Sequence, residues 1–152
     1  MTKLIPKTSD QTIQAEKIKV TNLLNQFMME MNQWELSCVE QLKNLDLESD
    51  DLAVKEKKFL SDLKNIYRKY CTPKKRKYTR LGSYGIPPNY DPSIEKIVGI
   101  VLDNPNKIIV HSQREFGIKT QYKYVVLRKN QKWLIDNRQR LDENGRWRSV
   151  VL

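Results

Sequence analysis

The sequence predicts an α+β domain in which two long N-terminal helices pack on a curved antiparallel sheet of four to five strands. Three observations predict it. Apolar residues recur at steps of four and three up to Tyr70, the period of a helix. From Ile97 onward the chain alternates with period two, which marks half-buried strands. Between Tyr122–Lys129 and the run Lys132-Trp-Leu-Ile-Asp136 stands only the polar pair Asn130-Gln131, the shortest signal for a hairpin. Helices first and strands after is the α+β order, and a sheet curved round a long helix makes a cone with a pocket at its mouth.

Residues 1–9 read as a frayed polar tail. Asp10 caps a first helix running to about Leu45, with Val20, Leu24, Phe27, Met31, Trp34, Cys38 and Leu42 on its stripe. Its length invites a break near Glu35–Cys38. An acidic connector, Asp46–Asp51, supplies Ser49 or Asp50 as the cap of a second helix. That helix carries Leu52, Phe59, Leu63, Ile66 and Tyr70 and ends before Pro73. Trp34, Phe27, Leu63 and Ile66 are the expected core between helices and sheet.

Residues 72–92 form an irregular loop holding Lys74-Lys75-Arg76-Lys77, Tyr78 and Arg80. A loop of about 20 residues within one domain is often functional. The strands follow. Val98, Ile100 and Leu102 are expected to share a face, and Ile108 and Val110 to point inward. Asp103–Asn106 and Arg114–Thr120 are turns. In the hairpin's second strand Trp133 and Ile135 face one way, Leu134 and Asp136 the other. A turn on Asn144-Gly145 leads to a last strand, Trp147 to Leu152.

The 152 residues fit a single domain with a core of its own. Cys38 and Cys71 are too few for a disulfide framework and lie in apolar helical patterns, as small core residues do. No secretory signal and no membrane-length apolar run is visible, so the expected setting is the cytoplasm. The net charge of +10 is uneven. Residues 1–71 hold 11 basic and 11 acidic side chains, residues 72–80 five basic and none acidic, and residues 81–152 twelve and seven. Such asymmetry steers an acidic partner.

Catalytic patterns are scarce. His111 is the only histidine and stands mid-strand without neighbours at metal-ligand spacing, so neither metal nor cofactor is expected. No phosphate loop or nucleophile elbow occurs. Asp136 is open to two readings: a pocket base beside Tyr122 or Tyr124, or a strand-end carboxylate paired with Arg138 or Arg128. The basic loop with Tyr78, Tyr84 and Tyr90 has the composition of a nucleic-acid footprint, but no nucleic-acid-binding module follows it.

Five segments, in order, carry a family resemblance: Phe27-Met-Met-Glu-Met-Asn-Gln-Trp-Glu35, Ile66-Tyr-Arg-Lys-Tyr-Cys-Thr-Pro73, Tyr84-Gly-Ile-Pro-Pro-Asn-Tyr-Asp91, Lys132-Trp-Leu-Ile-Asp136 and Gly145-Arg-Trp147. Together they resemble the immunity proteins with a nuclear-transport-factor-2-like fold from bacterial polymorphic toxin systems, over roughly residues 20–152. The resemblance implies a cone-shaped domain that binds and neutralises a cognate toxin and catalyses nothing. The charge adds an acidic contact patch on that toxin. The expected contact residues are Lys74, Lys75, Arg76, Lys77, Tyr78 and Arg80 in the loop, and Arg138, Arg140 and Arg146 near the last turn. Two other readings stay open: an isomerase-like or small-molecule-binding protein of the same cone fold, and a basic nucleic-acid-binding module. Membrane association is not expected.

Overall fold

A computed structural model describes residues 10–43, 45, 51–78, 80–82, 84, 88–115, 117 and 119–152. Helix α1 spans Asp10–Leu42 and α2 Asp51–Tyr70. Five strands follow: β1 Glu95–Asn104, β2 Lys107–Arg114, β3 Thr120–Lys129, β4 Lys132–Leu141 and β5 Trp147–Val150. All pair antiparallel in the order β1-β2-β3-β4-β5, a plain meander. The architecture is the α+β one read from the sequence. The expected tail at 1–9 and the caps Ser49 and Asp50 lie outside the described residues.

Helix α1 runs unbroken through Glu35–Cys38. It contains no Pro or Gly, the usual causes of a kink. Val20, Leu24, Phe27, Met31, Trp34 and Cys38 are all buried, as their spacing requires. Trp34 Nε1 donates to the Phe59 carbonyl at 3.0 Å and ties α1 to α2. At the other end Trp133 Nε1 donates to Glu16 Oε2 at 2.5 Å and ties α1 to β4. Phe27 and Leu63 are buried too, but Ile66 is only half-buried, at the border of the core.

The hairpin turn is as tight as its length demands. Asn130 and Gln131 both take positive φ, 51° and 64°, the backbone of a type I′ turn. The edge of β4 is shared. Its C-terminal half pairs with β5, and its N-terminal half is met by the chain leaving α2. There Cys71 bridges Ile135, and Thr72 N donates to the Ile135 carbonyl at 2.9 Å. The basic loop therefore starts as an added edge on the sheet.

Two of the sheet's three register shifts, both β-bulges, break the expected alternation. In β1 the register shifts between Ile97 and Gly99. Val98 is the extra residue and stands 60% exposed, although period two placed it with Ile100 and Leu102. In β4, Val126 faces Ile135 but Val125 faces Asn137, so Asp136 is extra. Each bulge reverses the phase of one strand end. Glu95 and Ile97 turn inward on β1, and Arg138 turns inward on β4.

Candidate functional site: an arginine-lined cavity and the basic groove beside it

The two rephased strand ends meet inside the cone. Glu95 and Arg138 are 0% and 3% exposed at their side chains, with Arg138 Nη2 3.6 Å from Glu95 Oε1. That distance makes an ion pair but exceeds a hydrogen bond. The other carboxylate oxygen, Oε2, accepts from Tyr124 Oη at 2.7 Å and from Ser112 Oγ at 2.8 Å. The guanidinium lies against aromatic faces, its carbon 3.8 Å from the ring centre of Tyr122, 4.6 Å from Tyr90 and 5.6 Å from Tyr124. Cation–π attraction grows when the cation is desolvated, to about 2 kcal/mol or more. Desolvation works against the charge on Arg138. The surrounding Tyr124, Tyr90 and Glu95 more than offset it, and its pKa lies above the usual arginine value. Burial raises the phenols of Tyr90 and Tyr124, so both stay protonated.

Tyr90 reaches this box because its loop is held from both sides. From α1, Glu35 accepts from Asn89 N at 2.6 Å and from Asn89 Nδ2 at 3.0 Å, while Asn32 Nδ2 donates to the Tyr90 carbonyl at 2.7 Å. From β2, Arg114 donates to the Asn89 and Pro88 carbonyls, both at 2.8 Å. Arg80 lies over the Tyr90 ring at 4.8 Å and donates to the carbonyls of Val151, at 3.1 Å, and Leu152.

Above the box opens a cavity of about 350 Å³. Arg80, Arg114, Arg138 and Arg140 line it, with Asn89, Tyr122 and the wall Val150-Val151. Among the described residues no Asp or Glu side chain lines it. Across that wall runs a groove of about 450 Å³, lined by Lys74, Lys75, Arg76 and Lys77 on one side and by Asn137 and Ser149 to Leu152 on the other. Among the described residues no Asp or Glu side chain lines it either. Val150–Leu152 is thus a ridge between two positively charged hollows, anchored by Tyr67 Oη donating to the Leu152 carbonyl at 2.6 Å.

The structure sorts the expected contact residues into four groups. Lys74, Lys75 and Lys77 are exposed along the groove, with Lys74 3.4 Å from Asp136. Arg76 is partly buried and turned back on its own loop and β4. It donates to Thr72 Oγ1 at 2.8 Å, the Thr72 carbonyl at 3.0 Å and the Asp136 carbonyl at 3.3 Å. Tyr78 is half-buried and stacks on Tyr67 at 5.8 Å. Arg80, Arg138 and Arg140 belong to the cavity. Arg138 is not a surface residue near the last turn, as its sequence position implied, because the β4 bulge turns it inside. Arg146 is exposed in the β4–β5 turn and touches neither hollow. Tyr122, expected in a pocket, does line the cavity, while period-two reasoning missed Glu95 and Arg114. Their available signals were Gly99, a strand glycine of the kind that accompanies bulges, and the end of apolar alternation after Ile135.

Asp136 needs correction on both readings. It accepts from Thr72 Oγ1 at 2.8 Å and faces Lys74, so neither Arg138 nor Arg128 is its partner, and it is not beside Tyr122 or Tyr124. The carboxylate at Tyr124 is Glu95. Nor do the loop tyrosines offer a stacking platform: Tyr90 is buried, Tyr84 packs on Trp34 and Phe59, and Tyr78 stacks on Tyr67. Among the described residues no group of His, Cys, Asp and Glu could hold a metal, and no helix is long and apolar enough to cross a membrane. His111 is half-buried on the outer face of the sheet, 5.8 Å from Trp147.

Two helices packed on a five-stranded antiparallel meander make an α+β architecture consistent with the nuclear-transport-factor-2 type. The family follows from comparison. The model of the NTF2 fold immunity proteins matches residues 19–150, and the chain belongs to that family. It is also 32% identical over 127 residues to a protein of Dickeya dadantii (strain 3937) described as immunity protein RhsIA, across 82% of this chain and 89% of that protein. No solved structure matches it significantly.

Proposed function

We propose that this immunity protein binds a cognate toxin and neutralises it by covering it, with no chemistry of its own. The observation that carries the reading is the pair of hollows flanking the Val150–Leu152 ridge. Among the described residues eight basic side chains line them and no acidic side chain does. A surface of that kind selects a partner with an acidic patch and accelerates the encounter. An interface of ordinary size buries about 1,600 Å² in total, more than either hollow offers, so the contact extends over the ridge and the adjoining loop. Within it Lys74, Lys75 and Lys77 steer the approach, while Arg140 and the rim of the cavity make the fixed contacts. Arg76 and Tyr78 act indirectly, since their side chains hold the loop in place.

The experiment is co-expression of the toxin domain encoded beside this chain, with and without it, followed by gel filtration of the mixed proteins. Survival that depends on the chain, with co-elution, is the expected outcome. Survival indifferent to the chain, and no complex, overturns the proposal.

A further inference from the structure

The cavity has a chemistry more specific than positive charge. Four guanidinium groups converge on about 350 Å³. One of them, Arg138, is offset by the buried Glu95. Arg114 is fixed by backbone carbonyls, which orient a guanidinium without neutralising it, and Arg80 is held by the Val151 carbonyl and a main-chain oxygen of Leu152. Arg140 stands exposed at the mouth. Like charges this close in a concave, partly desolvated space repel one another, and an anion placed among them relieves that repulsion. The Val150-Val151 wall and the Tyr122 ring give the same space an apolar side. A guanidinium fork matches a planar carboxylate, and an apolar wall suits the hydrocarbon stem that carries one. A bare phosphate has no such stem.

We propose that the cavity is a carboxylate-binding site. The carboxylate comes from a small polycarboxylate or from an Asp or Glu side chain of the toxin; the second source rests on the toxin-binding reading above. Arg140 makes the contact at the mouth, and Arg80 and Arg114 set the orientation from the sides.

Citrate is the probe. Isothermal titration calorimetry of the purified chain is expected to show citrate binding one to one, at an affinity that chloride of equal ionic strength does not reproduce. Arg140→Gln weakens it about tenfold, the loss of one charged hydrogen bond. Lys129→Gln removes the same charge about 23 Å along β3 from Tyr122 and leaves binding unchanged. Both positions are exposed, so both variants keep the fold. Citrate that binds no better than chloride overturns the site, as does equal weakening by the two substitutions. With the toxin present, competition between citrate and toxin assigns the site to a toxin side chain, and simultaneous binding assigns it to a free polycarboxylate. If no toxin complex forms, the proposed function falls while the citrate titration still decides the cavity.

Discussion

Glu95 and Arg138 form the most consequential contact in the molecule, and it is poorly bonded for one so deep. Arg138 Nε and Nη2 and Glu95 Oε1 lack hydrogen-bond partners among the described residues, and the aromatic faces stand in for them. Removing one partner of a buried pair leaves an uncompensated charge, which costs about 3–5 kcal/mol. Glu95→Gln and Arg138→Met are each expected to destabilise by that order, and the double variant by clearly less than their sum, in a urea-denaturation cycle. Additive losses would show that the pair is not coupled. Burial also pushes the thiols of Cys38 and Cys71 up to about 12 from 9.0. A folded value above the unfolded one means the stabilisation is complete below pH 9 and is lost as pH rises towards 12, because only the unfolded thiols ionise in that window. The phenols of Tyr67 and Tyr124, also raised by burial, add to the loss above pH 10. The urea midpoint should therefore fall between pH 8.5 and 11, and less steeply in Cys38→Ala/Cys71→Ala. Identical slopes would clear the thiols.

At the scale of the element, the turn at Asn130-Gln131 is the point where local chemistry and geometry disagree. Gln131 holds φ at 64°, a conformation that disfavours a side chain with a Cβ. Gln131→Gly restores the Asn-Gly pair that a type I′ turn prefers and should raise stability by about 0.5 kcal/mol, the relief of strain less the entropy glycine loses. A thermal melt unchanged or lowered would count against this account. Helix α1 makes the opposite case, because its pattern and its packing agree. Trp34 is buried and hydrogen-bonded to α2, so Trp34→Ala should cost about 3–5 kcal/mol. A melt overlaying the wild type would mean that α1 does not use this face. The bulges at Val98 and Asp136 are smaller features with larger effects: one extra residue in each strand decides which side chains the cone encloses.

Across the whole molecule the charge is partitioned by architecture. The helices sum to zero, and the excess lies in the loop and sheet that form the two hollows. Long-range attraction of this kind is screened over about 8 Å at physiological ionic strength. Association with the toxin should therefore slow as salt is added. Replacing Lys74, Lys75 and Lys77 together with Ser should lower the on-rate more than it raises the off-rate, since exposed lysines contribute only about 0–1 kcal/mol each to the final contact. Surface plasmon resonance at two ionic strengths checks both statements. Rates equal to wild type at each would place the contact surface elsewhere.

Much of this protein is written locally. The helices, the strand count, the hairpin and the buried stripe of α1 all follow from periodicity and turn residues, which depend on near neighbours. So does the neutrality of one half and the basicity of the other. The Ile66 position, the exposed Val98 and the partner of Asp136 did not follow, and neither did the inward course of Arg138. The reason is physical. A strand has period two, so one unannounced extra residue inverts everything beyond it, and whether a strand bulges is settled by what it must pack against. Glu95 and Arg138 lie 43 positions apart and meet only because both inversions occur together. The cavity, with Arg80 and Arg114 drawn in by distant carbonyls, belongs wholly to the tertiary structure.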